Sequence, residues 1–121
     1  VGAAVGLFSR DFYQAIHEAL TEDGILVAQT ESPYVNASLI EKSFGHIRSI
    51  FPVSRLYLAC VPTYPTGLWS FSLGSKKYDP LQVDFKARQA VPTVYYNPDV
   101  HRAAFALPNF VRDLIGEEAA R

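Results

Sequence analysis

Residues 25–61 read ILVAQTESPYVNASLIEKSFGHIRSIFPVSRLYLACV. The opening of this stretch, Ile25 to Thr30, is a short apolar run bounded by Asp23-Gly24 before it and Glu31-Ser32-Pro33 after it. Such a run suits a strand buried on both faces, the kind that parallel sheets contain. Asn36 then offers a helix cap, and Ile40, Phe44, Ile47 and Phe51 recur at spacings of four, three and four until Pro52 stops the pattern. That spacing predicts a helix with one apolar face. Val53 to Val61 is rich in β-branched and aromatic residues, which predicts a second strand. A strand, a helix and a strand in this order make a right-handed crossover, so the two strands run parallel as neighbours or near neighbours. The expected class is α/β.

Upstream, Ser9 can cap a helix with Asp11 in its first turn, and Phe12, Ile16, Ala19 and Leu20 fall on one face before Gly24 ends it. Downstream, Pro62-Thr63-Tyr64-Pro65 leads to Gly67–Leu73, where Trp69, Phe71 and Leu73 alternate with Leu68, Ser70 and Ser72. The link is too short for a crossover, so this last strand is expected to be antiparallel. From Gly74 to Thr93 the pattern weakens to loop. A helical tail follows: Asp99 to Leu107 as one helix, then a second that Pro108 opens in its first turn and that ends near Ile115.

Composition narrows the function. The chain has 121 residues, 49% apolar and 13% aromatic, with eleven Lys and Arg against twelve Asp and Glu in no runs. No basic stripe exists to neutralise phosphate or anionic lipid, so neither nucleic acid nor membrane is expected as a partner. One cysteine, Cys60, excludes an internal disulfide framework, and His17, His46 and His101 have no metal-ligand spacing. The expected setting is a reducing, cytoplasmic one without a metal, with Cys60 as a small core residue and His17 and His101 at the surface or hydrogen-bonded. The sequence contains no methionine and opens at Val1, which leads to the expectation of a piece whose partners lie upstream.

Ligands of open parallel sheets bind beyond the carboxyl ends of the strands. Two segments deliver polar residues there: Gln29-Thr30-Glu31 and Pro62-Thr63-Tyr64-Pro65. Gln29 stands among Ile25, Leu26, Val27 and Ala28, where an unsatisfied amide costs roughly 1–3 kcal/mol, so it needs either a ligand or nearby backbone as partner. Tyr64 sits between two prolines that stiffen its loop, which suits recognition, although a ring that covers core is the alternative. Glu31 either faces a cation, is solvated or pairs with a helix, and Trp69 reads as core. No Gly-rich turn, acidic pair or nucleophile constellation is present. From residues alone the chain is the second half of an α/β nucleotide- or cofactor-binding fold with a polar edge.

The longer motifs add a resemblance. Leu20 to Pro33 with its core Gly24-Ile25-Leu26-Val27-Ala28-Gln29-Thr30-Glu31-Ser32-Pro33, then Val61-Pro62-Thr63-Tyr64-Pro65-Thr66-Gly67-Leu68-Trp69, Gly74-Ser75-Lys76, and Tyr95-Tyr96-Asn97-Pro98-Asp99-Val100-His101-Arg102 through Pro108 resemble the C-terminal half of the polyamine aminopropyltransferase (spermidine synthase) family. The match covers essentially the whole chain. It implies that residues 1–121 are the C-terminal part of one Rossmann-like, methyltransferase-type domain, with the antiparallel last strand inserted between its two predecessors. It also implies a reaction in which decarboxylated S-adenosylmethionine, a cosubstrate, gives its aminopropyl group to putrescine, leaving spermidine and methylthioadenosine, with no cofactor. The base, an aspartate of an Asp-Ser-x-Asp-Pro motif, is expected upstream of Val1, so no catalytic residue is assigned in this chain and the chain alone is expected to be inactive.

By residue-wise carry-over, Gln29 and Tyr64 position the diamine, Glu31 sets the charge near an ammonium through water, Trp69 lines the methylene chain, and Pro65 beside Tyr64 belongs to the same substrate-binding set. Ala3 and Leu7 fall at donor contacts, although Gly2-Ala3-Ala4 stands where many members have Gly-Pro-Ala. Homodimers or homotetramers and the N-terminal half are the implied partners. Two alternatives stay open: another acceptor such as agmatine or spermidine, and a non-catalytic binding or assembly module.

Overall fold

In a computed structural model, residues 6–117 are described; Ala3 lies outside them. Ser9 caps α1 (Arg10–Ala19), its side chain accepting the Phe12 amide at 3.2 Å. The inward face of α1 is centred on Tyr13, fully buried, with Ile16, His17 and Leu20 half-buried; Phe12 and Ala19, expected on that face, are exposed. The cause is polar: the Tyr13 hydroxyl hydrogen-bonds the buried Ser43 Oγ of α2 (Ala37–Ile50), so the phenol can be enclosed without an orphaned group. Burial pushes the Tyr13 phenol up from its ordinary pKa, against the smaller lowering by Ser43.

Three strands follow, β1 (Ile25–Gln29), β2 (Val53–Cys60) and β3 (Leu68–Ser75), in the spatial order β1-β3-β2. β3 is antiparallel to both, so β1 and β2 are parallel to each other with β3 between them. The insertion that the resemblance implies is thus found, and the α/β class holds. The expected double-sided burial of β1 does not. Leu26 and Ala28 pack on Tyr13, Ile47 and Phe51, whereas Ile25 and Val27 are each 46% exposed on the opposite face. The helices α1 and α2 cover one side of β1, and double-sided burial belongs to the central strand β3.

α2 presents Ile40, Phe44 and Ile47, followed by Phe51, all nearly inaccessible, as their spacing predicts. Asn36 occupies its N-cap but its side chain makes no capping bond. The β3 residues under α2 are small, Ser70, Ser72 and Gly74, and they let the helix approach: a Cβ on Gly74 would lie 2.6 Å from Phe51 Cδ2. Their hydroxyls are satisfied by Thr30, whose Oγ1 lies 2.7 Å from Ser70 Oγ and 3.0 Å from Ser72 Oγ. Cys60, expected in the core, is exposed because it ends the outer strand β2 and pairs only with Leu68.

The segment after β3 is loop with one 3₁₀ turn at Phe85–Ala87. Arg55 fastens it to β2 by a two-pronged pair with Asp79, at 2.7 and 3.1 Å. The Nε2–H of His101 donates to the Pro80 carbonyl at 2.8 Å, and Nδ1 lies 2.9 Å from the Tyr96 hydroxyl. His17 packs edge-on against Phe51. α3 (Pro98–Ala104) is capped by Asn97 and ends three residues before the predicted Leu107. The stop follows from Pro108, which disfavours helical backbone at the residue before it. Pro108 itself is the N-cap of α4 (Asn109–Leu114), not a first-turn residue, with φ −59° and ψ 154°. Val111 and Ile115 close the core over Ile40, Phe44 and Leu56.

Candidate functional site

The register of the sheet decides which side chains meet. Gln29 stands opposite Phe71, and Phe71 opposite Tyr57, so these three form one row across the sheet on the face away from α2. Tyr57 and Phe71 stack with ring centres 4.9 Å apart and planes 10° apart, and Phe105 of the tail covers Tyr57 at 5.4 Å. Burial pushes the Tyr57 phenol up from its ordinary pKa. Trp69, two residues before Phe71 on β3, is on the same face and is a diagonal neighbour of Gln29, a relation that sets backbones about 7–8 Å apart. Tyr64 lies against Trp69, ring centres 4.5 Å apart and tilted by 47°. Gln29, Trp69 and Tyr64 therefore share one face at the carboxyl ends of β1 and β2.

Each member has a local cause. Gln29 ends β1 and is exposed, so the amide needs none of the burial compensation expected of it. Pro65 and Thr66 are the middle of a tight turn in which the Gly67 amide donates to the Tyr64 carbonyl at 3.0 Å. Proline second and positive φ third, 68° at Thr66, is the type II signature. Trp69 is 8% exposed and its Nε1–H has no partner among the described residues, a buried donor that costs on the order of 1–3 kcal/mol if left unmade. Trp69 is thus both core, as its alternation suggests, and a wall of this face.

Glu31 also has positive φ, 74°. The Thr30 amide donates to the Ser70 carbonyl, and the Ser70 amide donates to the Glu31 carbonyl, both at 2.9 Å. Two residues after β1 thus oppose one of β3 in the manner of a β-bulge, which re-aims the bulged side chain. Ser70 Oγ donates to the same Glu31 carbonyl at 2.9 Å. Spacing gave no sign of this geometry, because it rests on backbone and side-chain bonds with Ser70, some forty residues away. Leu7 is half-exposed in the 3₁₀ turn at residues 6–8, on the segment leading into α1.

Farther along the same face is a cavity of about 260 Å³ lined mainly by Val27, Leu73, Tyr57, Tyr96, His101 and Phe105, and none of Gln29, Glu31, Tyr64 or Trp69 borders it. Among the described residues no group of three His, Cys, Asp or Glu is placed to hold a metal, and no helix is long and apolar enough to cross a membrane.

Comparison with known proteins bears on the family and the fold. The spermine/spermidine synthase domain matches residues 1–87. The polyamine aminopropyltransferases of Caldicellulosiruptor saccharolyticus and Moorella thermoacetica are 58% and 56% identical to this chain over 115 residues, which is 95% of it and 41% of each of theirs. A spermidine synthase from Thermotoga maritima superposes with a TM-score of 0.77 at 39% identity over 93% of this chain and 40% of its own. A spermidine synthase in complex with the transition state analogue AdoDATO superposes with a TM-score of 0.75 at 40% identity over 91% of this chain and 40% of its own. The chain spans about two-fifths of the length of the relatives it matches.

Proposed function

Because this chain belongs to the spermine/spermidine synthase domain family, we propose that it forms the diamine-binding wall of an enzyme that moves an aminopropyl group from decarboxylated S-adenosylmethionine to putrescine. The observation that carries the reading is the single face shared by Gln29, Trp69 and Tyr64 at the carboxyl ends of β1 and β2, with Tyr64 against Trp69. A diamine needs polar groups for its nitrogens and an apolar wall for its methylenes, and this face offers both.

In the proposed step a neutral amine of the diamine attacks the aminopropyl carbon bonded to sulfonium sulfur. The carbon–sulfur bond breaks, its electron pair stays on sulfur as the thioether of methylthioadenosine, and the amine proton passes to a base. An ammonium has no lone pair, so a base is required, and the aspartate of an Asp-Ser-x-Asp-Pro motif outside this chain would serve. The positive sulfonium makes the leaving group good by itself, so the reaction asks for no cofactor. Gln29 and the Tyr64 hydroxyl hold the diamine, Pro65 stiffens the Tyr64 turn, Trp69 lines the methylenes, and Glu31 favours the distal ammonium. Ala3 and Leu7 contribute on the donor side. The proposed assembly is a homodimer or homotetramer in the cytoplasm, a setting in keeping with the exposed free thiol of Cys60.

The test is an amine panel with the full-length protein and decarboxylated S-adenosylmethionine. Putrescine should give spermidine and methylthioadenosine in equal amounts at the highest kcat/KM. A higher value with agmatine or spermidine would reassign the acceptor, and no methylthioadenosine with any amine would end the proposal.

A further inference from the structure

Glu31 and Thr66 are the two residues other than glycine with positive φ among the described residues, and they belong to the two segments that bear the polar groups of the site. For threonine, branched at Cβ, that conformation is a genuine outlier; glycine or asparagine is the usual occupant of the third position of such a turn. What the structure sets against this strain is a hydrogen bond between segments 34 residues apart: Ser32 Oγ lies 2.9 Å from Thr66 Oγ1. Ser32 is 1% exposed, and its Oγ accepts the Tyr34 amide at 3.2 Å. Thr66 Oγ1 in turn donates to the Leu68 carbonyl, an obligate acceptor, at 3.4 Å. The polarity is then consistent throughout: the Tyr34 amide donates to Ser32, Ser32 to Thr66, and Thr66 to Leu68 just before Trp69.

The geometry points to the Ser32–Thr66 pair as a clasp that sets the spacing between Glu31 and Tyr64, and so positions the two ends of the amine site. This inference rests on the diamine reading above and adds to it two positioning residues that do not themselves need to touch the ligand. Glycine at 66 would relieve the strained backbone more cheaply. The strained threonine supplies what glycine lacks, a hydroxyl at the point where the two loops meet.

Stability and binding should therefore separate. In the full-length protein, Thr66→Gly should leave Tm unchanged or higher, yet raise KM for the diamine by roughly three- to tenfold, the size of one neutral hydrogen bond, with KM for the aminopropyl donor unchanged. Thr66→Ser, which keeps the hydroxyl, should restore the diamine KM. Ser32→Ala should reproduce the Thr66→Gly effect, and the double variant should add little to either, since both remove one interaction. An unchanged diamine KM in Thr66→Gly, or equal changes for diamine and donor, would overturn the clasp. Tyr64→Phe separates this from failure of the site itself: if Tyr64→Phe raises diamine KM while Thr66→Gly does not, only the clasp is wrong, and if neither does, the amine site is wrong as well.

Discussion

Tyr64 meets its surroundings in two ways: its ring rests on Trp69, and its backbone is held by a turn whose second residue is Pro65. Replacing the tyrosine by phenylalanine keeps the ring contact and the turn and removes only the hydroxyl. If that hydroxyl bonds a charged, enclosed amine, Tyr64→Phe in the full-length protein should lower kcat/KM for the diamine by roughly 10- to 150-fold, from about 1.5–3 kcal/mol of charge-assisted hydrogen bonding. Steady-state kinetics with putrescine varied would check this, and a loss below twofold would remove Tyr64 from the amine site. Thr66, next but one, makes the opposite point about residues. Its identity is intelligible only with Ser32 beside it, because its local backbone argues against threonine.

At the scale of elements, α2 packs closely on the strand whose other face bears Trp69. Ser70, Ser72 and Gly74 form the floor under α2, while Trp69, Phe71 and Leu73 are on the opposite face of the same strand, the face of the candidate amine wall. Gly74 is the tightest point, since a Cβ there would meet Phe51 at 2.6 Å and Ile47 Cγ2 at 2.9 Å. Both neighbours are buried, so neither can swing into solvent. Gly74→Ala should cost about 1–3 kcal/mol by overpacking. Urea unfolding of the full-length protein would read it as a lower midpoint with an unchanged slope, and an unaltered midpoint would mean that α2 shifts freely.

Over the whole molecule, the long loop after β3 is joined to the sheet by charge. The Arg55 guanidinium beside Asp79 holds that carboxyl below its usual range, with the Leu81 amide helping, while partial burial opposes both. A carboxyl whose folded pKa is depressed contributes stability that is complete above its unfolded value, about 3.9, and is lost as pH falls through the folded value. Asp79→Asn keeps the acceptor for Leu81 but not the charge. It should therefore be less stable than the parent at pH 7, and the gap should narrow steadily below about pH 4. Denaturant midpoints at pH 7, 4 and 3 would check this; a gap constant with pH would mean that the pair adds no net charge stabilisation. The same loop brings Tyr96 and Pro80 to His101, so its attachment organises the tail over Tyr57.

Much of this was legible in the sequence because it depends on short-range periodicity. The spacing of Ile40, Phe44, Ile47 and Phe51 gives α2 and its buried face, the alternation from Trp69 to Leu73 gives β3, and Ser9 gives a cap that forms as its chemistry requires, whereas Asn36, read as a second cap, makes no side-chain capping bond. The long motifs, from Gly24 to Pro33 and from Val61 to Trp69, carried the family and the central place of β3, which no spacing rule supplies. The tertiary structure alone decided three things. It chose Tyr13 over Phe12 as the inward residue of α1, because Ser43 satisfies the phenol. It left one face of β1 and the Cys60 thiol open, because burial depends on which strand lies at an edge. It bent Glu31 and Thr66 into left-handed backbone, because hydrogen bonds from residues distant in the chain can outweigh a local preference that sequence windows record.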